Sequence, residues 1–426
     1  MATGTATSEL ITKAQAAREA SKRVRMLSTE QKNNALRAIA DALEANCPTI
    51  LEANARDLEA GREAGLSEAL MGRLLLNEQR ISGMANDVRG VALLPDPVGE
   101  CFDSRTLPNG IRVERRRVPL GVIGCVYEAR PNVTTDIVSL CLKSGNAVVL
   151  RGGKEAVHTN TAVAALVKDA LAAEDAVPEA VQFVTDTDRA IVDQMIRLND
   201  YLDLFIPRGG ETLIKYVRDN ATVPAITGGV GVVHVYVDAG ADLEKASGII
   251  YNAKTQRPDV CNALDTLLVH ASAAPALLPG AASRLTEAGV ELRCDQRALS
   301  LIGPVQESQV RAAGPDDFGQ EFLSLTMSVK VVDSLDDALE HIDEFGSGHT
   351  EAIVTEDYSA AMRFTDAVEA SVVLVNASTR FNDGAQLGLG SEVAISTNKL
   401  HARGPMGLRE LTSYKWIALG DGQVRP

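Results

Sequence analysis

Of the six cysteines in this 426-residue chain, Cys261 is set among residues that could make a thiol reactive. It lies in Ala253-Lys254-Thr255-Gln256-Arg257-Pro258-Asp259-Val260-Cys261-Asn262-Ala263, a polar, cationic segment that leads into an apolar run. Lys254 and Arg257 precede it by a few residues, and nearby positive charge favours the thiolate, which is the nucleophile. The alternative for any cysteine is a buried structural role. Cys47, Cys101, Cys125, Cys141 and Cys294 sit in apolar or helical contexts and read that way. No CxxC pair occurs, so neither a zinc spacing nor a disulfide framework is expected. The six histidines are dispersed, and no metal constellation is predicted.

Other candidates cluster in loops. Arg151-Gly152-Gly153-Lys154, Pro207-Arg208-Gly209-Gly210-Glu211 and Thr227-Gly228-Gly229-Val230-Gly231 each follow a predicted strand or adjoin one. Glycine lets backbone approach a ligand, helix N-termini attract anions, and Arg or Lys suits phosphate. Tight turning alone would also account for any one of them. The GxGxxG dinucleotide fingerprint is absent. Arg130-Pro131-Asn132-Val133 follows a strand directly, and the Asn132 amide could donate to a developing oxyanion or cap the next helix. His234 lies in a strand pattern and reads as a packed core residue, whereas His349, in Gly346-Ser347-Gly348-His349-Thr350, is on a loop and could face a cleft.

The elements that must position these residues can be read from periodicity. The first 95 or so residues are helical: Ser28 and Gln31 have capping-box spacing, Leu36, Ile39, Ala40 and Leu43 share a face, and Pro48 should break the stretch. Alternating residues around Asn109-Gly110 predict a hairpin ribbon that seeks another sheet edge. From residue 119 strands alternate with helices, which implies a parallel sheet covered on both faces, with ligand expected at the strands' carboxyl ends. The strand at 232–237 closes this first unit, and a second alternating unit runs from about 241 to 376. A last short strand is expected at 413–419.

Hydrophobic residues make up 45% and charged residues 23%, ordinary for a globular protein. The net charge of −15 argues against nucleic-acid binding, though not against a local cationic pocket. No apolar run approaches the roughly 18 residues needed to span a bilayer, and no signal-peptide pattern opens the chain, so no membrane partner and a cytoplasmic location are expected.

Taken together, Val118-Pro119-Leu120-Gly121-Val122-Ile123-Gly124, Glu128-Ala129-Arg130-Pro131-Asn132-Val133-Thr134, Leu150-Arg151-Gly152-Gly153-Lys154, the Cys261 segment, Gly346–Ile353 and Lys399-Leu400-His401-Ala402-Arg403-Gly404-Pro405-Met406-Gly407-Leu408 resemble the gamma-glutamyl phosphate reductase family of the aldehyde dehydrogenase superfamily. The resemblance runs through essentially the whole chain in order. It implies an α/β, aldehyde dehydrogenase-like fold with two parallel-sheet domains and a small β oligomerisation ribbon. The expected division is an NADP-binding domain at 1–100 and 119–238, a catalytic domain at 239–405, and a ribbon at 101–118 and 406–426. It implies reduction of L-glutamyl 5-phosphate to L-glutamate 5-semialdehyde with NADPH and release of phosphate, in proline biosynthesis. It further implies a homo-oligomer and a separate glutamate 5-kinase as source of the substrate.

Residue by residue, the resemblance makes Cys261 the catalytic nucleophile and Asn132 the oxyanion donor. It places Arg151, Gly152, Gly153, Lys154, Gly209, Gly210, Gly228 and Glu321 on NADP, with Lys154 facing a 2′-phosphate. Arg130, Arg257, His349, Arg380 and Lys399 are the candidates for substrate phosphate and carboxylate. Aldehyde-oxidising members of the superfamily carry a Glu before a Gly-Gly pair to activate water. Here the matching stretch is Ala225-Ile226-Thr227-Gly228-Gly229, without a carboxylate, which suits a thioester that is reduced and not hydrolysed. Two rivals remain at this point: a hydrolytic aldehyde dehydrogenase on the same fold, which would turn over without phosphate, and a non-catalytic binding protein, which would resist thiol-directed inactivation.

Overall fold

Ser28 accepts a hydrogen bond from the Gln31 backbone N–H, and the Gln31 side chain returns one to the Ser28 N–H, so the predicted capping box forms. It opens the helix Thr29–Ala45, whose Leu36, Ile39, Ala40 and Leu43 are all buried. The helix ends where expected, and Pro48 starts a new one, Cys47–Glu63, at a position where its missing N–H costs nothing. A computed structural model describes residues 2–303 and 309–425, which fall into two compact units.

The first unit comprises residues 1–228, 388–394 and 406–426. Its parallel sheet has four strands in the order Val181–Phe183, Ala147–Gly152, Val122–Tyr127, Leu204–Arg208. The two central strands are buried at every residue, as expected of a sheet covered on both faces. The strand at Leu204–Arg208 runs two residues past the predicted end, through Pro207, which an edge strand tolerates because no neighbour needs its N–H.

The same unit carries the ribbon. Cys101–Thr106 pairs antiparallel with Arg112–Pro119 across the Asn109-Gly110 turn, where Gly110 takes a positive φ of 84°. The sheet edge it sought lies in the same chain: Thr412–Leu419 pairs along the whole of Arg112–Pro119. Arg115 bridges these strands by lying over both the Tyr414 and Trp416 rings, 4.8 Å and 4.7 Å from their centres.

The second unit comprises 229–387 and 395–405. Its sheet has seven parallel strands, ordered Val310–Ala312, Glu291–Cys294, Thr326–Val332, Thr266–His270, Val233–Val237, Thr350–Val354, Val372–Val375. The strand read as closing the first unit therefore sits inside this sheet, between Thr266–His270 and Thr350–Val354. Strand pairing is a long-range choice that the apolar run Val233–Val237 could not reveal. Glu291–Cys294 and Val310–Ala312 are strands that periodicity missed, because at four and three residues they show too little alternation. Alternate residues serve opposite faces. Leu267 and Val269 pack under the helices Leu243–Thr255 and Ala274–Glu287, while Leu268 and Tyr236 meet Phe364 and Ile342 on the other side.

Candidate functional site

In the second unit, Asp242 caps the helix Leu243–Thr255, and Pro258 prevents the chain from continuing it. The chain then loops through Cys261 to the strand Thr266–His270. Cys261 is half-buried, and none of the six cysteines, all within the described residues, is in a disulfide. Its main chain rests directly on Gly231: a β-carbon there would collide with the Cys261 carbonyl. The Gly231 N–H donates to Glu321 Oε1 at 3.1 Å. Next to it, Asp265 accepts from the Val233 N–H at 3.3 Å and the Phe322 N–H at 3.0 Å. Carboxylates thus tie together the segments around 231, 265 and 321, at the amino ends of the strands.

Of the two cations that precede Cys261, one turns inward. Lys254 is fully buried, and its ammonium donates to the Leu264 carbonyl at 2.9 Å, 4.0 Å from Asp265. Burial lowers its pKa and raises that of Asp265. Arg380 donates from Nε to Gln256 Oε1 at 2.7 Å, and burial lowers its pKa. Arg257 is exposed, with Nε 3.6 Å from Asp259. Lys399 lies 3.4 Å from the Glu369 carboxylate. His349 does not face a cleft. It is 1% exposed, its Nδ1 is 2.6 Å from Thr350 Oγ1, and burial pushes its pKa down to about 4, so it is neutral at pH 7.

In the first unit the candidates do lie at the strands' carboxyl ends. Asn132 is exposed and is the first residue of the helix Asn132–Lys143, not its cap; its Nδ2 donates to Asp136 Oδ2 at 2.9 Å. Burial, with a further push from Asp87, raises the Asp136 carboxyl to about 7. Arg130 precedes this helix and is exposed. Glu155 Oε1 accepts from the Ala129 N–H at 2.7 Å, and Glu128 Oε2 from the Gly210 N–H at 2.8 Å. These two carboxylates link the 128–132, 152–156 and 208–210 loops. Nothing in the sequence singled them out, since their partners are backbone groups of distant segments.

Lys154 is exposed beside Gly152 and Gly153. Arg151 is largely buried, donates to the Thr187 carbonyl at 2.6 Å, and keeps a buried Nε without a partner. Gly209 has no room for a β-carbon against Glu128, nor Gly229 against Thr397. The 227–231 glycines therefore serve close packing at least at Gly229 and Gly231. Gly228 is half-buried.

Residues 2–313 match the model of the aldehyde dehydrogenase family. A gamma-glutamyl phosphate reductase of Dehalococcoides mccartyi is 53% identical over 98% of both chains. One from Roseiflexus castenholzii is 55% identical, covering 96% of this chain and 97% of that one. The crystal structure of the gamma-glutamyl phosphate reductase of Thermotoga maritima superposes with a TM-score of 0.95 at 47% identity, over 98% of this chain and 100% of that one. The chain belongs to the gamma-glutamyl phosphate reductases of the aldehyde dehydrogenase family. It is accordingly an oxidoreductase, with the α/β fold of aldehyde dehydrogenases. An acetylating aldehyde dehydrogenase of Geobacillus thermoglucosidasius, 18% identical, shares that fold with a TM-score of 0.72. In the second unit, the close packing of the Cys261 main chain on Gly231 is the feature nearest the candidate nucleophile. No helix among the described residues is long and apolar enough to cross a membrane.

Proposed function

We propose that this chain reduces L-glutamyl 5-phosphate to L-glutamate 5-semialdehyde with release of phosphate, in proline biosynthesis, through a thioester on Cys261. The observation that carries the reading is a half-buried Cys261 whose main chain packs directly on Gly231. The names of relatives at 52–55% identity supply the substrate class. Arg380 favours the thiolate, which attacks the acyl carbonyl carbon. The C–O bond to phosphate breaks, and phosphate departs with the electron pair, needing little help from an acid. The Asn132 amide and the Cys261 backbone N–H are the donors assigned to the oxyanion.

A nicotinamide cofactor supplies hydride when bound, and NADPH is the proposed form. Exposed Lys154 and the unpartnered Arg151 Nε suit an anionic nucleotide, and Gly152, Gly153, Gly209, Gly210, Gly228 and Glu321 are the other residues proposed to bind it. Arg130, Arg257, Arg380 and Lys399 are the proposed anion-binding residues for phosphate and carboxylate, Arg being the better bidentate partner. The ribbon formed by Cys101–Thr106, Arg112–Pro119 and Thr412–Leu419 is the proposed oligomerisation element, and a glutamate kinase the proposed source of the acyl phosphate.

The reverse assay tests this. Pyrroline-5-carboxylate, in equilibrium with the semialdehyde, should be oxidised with NADP in preference to NAD, only when phosphate is present, and not by Cys261→Ala. Phosphate-dependent turnover surviving in that variant would overturn the mechanism.

A further inference from the structure

Behind Cys261 the second unit buries four polar side chains that this chemistry does not itself use. Asn262, the next residue, is 4% exposed, and its Nδ2 donates to the Asn382 backbone carbonyl at 2.8 Å. Asn382 is fully buried, and its Nδ2 donates to Thr350 Oγ1 at 2.7 Å. Thr350 Oγ1 lies 2.6 Å from His349 Nδ1. Because that hydroxyl oxygen already accepts from Asn382, its own proton is available to His349, and a neutral His349 has the lone pair to take it. The chain therefore runs in one direction, from the nucleophile's neighbour to the start of the strand Thr350–Val354.

Buried polar groups cost stability unless they are paired, and apolar residues of the same size would fill this space without that cost. The Oδ1 atoms of both Asn262 and Asn382 are buried with no partner, so each carboxamide is held through its N–H and no second contact shares the load. Asn382 also closes the turn Thr379–Phe381, which bears Arg380. One line of hydrogen bonds thus ties the backbone beside the thiol and the turn bearing its cation to the sheet.

We propose that Asn262, Asn382, Thr350 and His349 are positioning residues for the Cys261 nucleophile: they fix the main chain at Cys261 and the place of Arg380. This rests on the proposed function, in which Cys261 attacks. None of the four need touch substrate.

The test uses the full chain in the reverse assay, together with the pH profile of Cys261 alkylation by iodoacetamide. Thr350→Val keeps the shape and removes both hydrogen bonds. It should lower kcat on the order of 10²-fold, as a misplaced reacting group does, leave KM for the semialdehyde within about twofold, and move the alkylation profile to higher pH. Thr350→Ser should restore all three. Asn262→Ala, cutting only the first link, should act like Thr350→Val and serves if that variant does not fold. The proposal is overturned if a folded Thr350→Val or Asn262→Ala keeps wild-type kcat and alkylation profile. Equal losses in Thr350→Ser and Thr350→Val, which would make packing the cause, overturn it too. Failure of the functional reading looks different: Cys261→Ala stays active, or the wild type needs no phosphate.

Discussion

Gly231 and Asp136 show how a single residue can matter through what it touches. A methyl group at Gly231 would meet the Cys261 carbonyl, which is backbone and cannot swing aside. Gly231→Ala should cost about 1–3 kcal/mol, as overpacking does. Displacing the nucleophile should lower kcat/KM on the order of 10²-fold; steady-state kinetics beside a urea titration separate the two effects. Asp136 receives the Asn132 amide, and burial holds its carboxyl at about 7. Its ordinary pKa is about 3.9, so the folded chain binds this proton more tightly than the unfolded one. The resulting stability is fully present below about pH 4 and is lost as pH rises through about 7. Melting temperatures of Asp136→Asn should fall less between pH 5 and pH 8 than those of the wild type; parallel curves would count against the assignment. The sequence marked Asn132 as a donor but was silent on Asp136, because a carboxylate four residues along a helix is ordinary until the helix is known to be buried there.

At the scale of elements, local rules worked where local contacts decide. The Ser28 cap needs only Gln31, three residues on, and Ser28→Ala should cost about 1 kcal/mol in a denaturant titration. The helix end that presents Lys254 is different. Its ammonium is buried against Leu264 and Asp265, and removing it leaves the buried Asp265 without its counter-charge. Lys254→Met should therefore destabilise by about 3–5 kcal/mol, and Lys254→Met/Asp265→Leu by much less, a difference that a double-mutant cycle measures. The sequence offered Lys254 only as positive charge near Cys261; its burial against the Leu264 carbonyl appears only in the folded chain. The same holds for His349, whose loop position hides its burial behind Thr350 and Ser371.

For the molecule as a whole, the buried histidines contribute to the response to acid. His341 is held at about 3 by burial and by its neighbours His234 and Lys330, and His349 at about 4 by burial. The unfolded chain protonates near 6.5, so stability is full above that pH and is lost as pH falls toward about 4. His341→Gln should flatten the fall in melting temperature between pH 7 and 4.5. The ribbon and the capping box were legible because each rests on residue type and on spacing within one segment. The strand 233–237 joined a sheet other than the one expected, and Lys254 turned inward, because pairing and burial are settled between segments far apart in the chain. The sequence by itself determined which groups could react. Tertiary structure decided which of them are held, neutralised or buried, since main-chain hydrogen bonds, close packing against glycine and loss of solvent exist only once those segments meet.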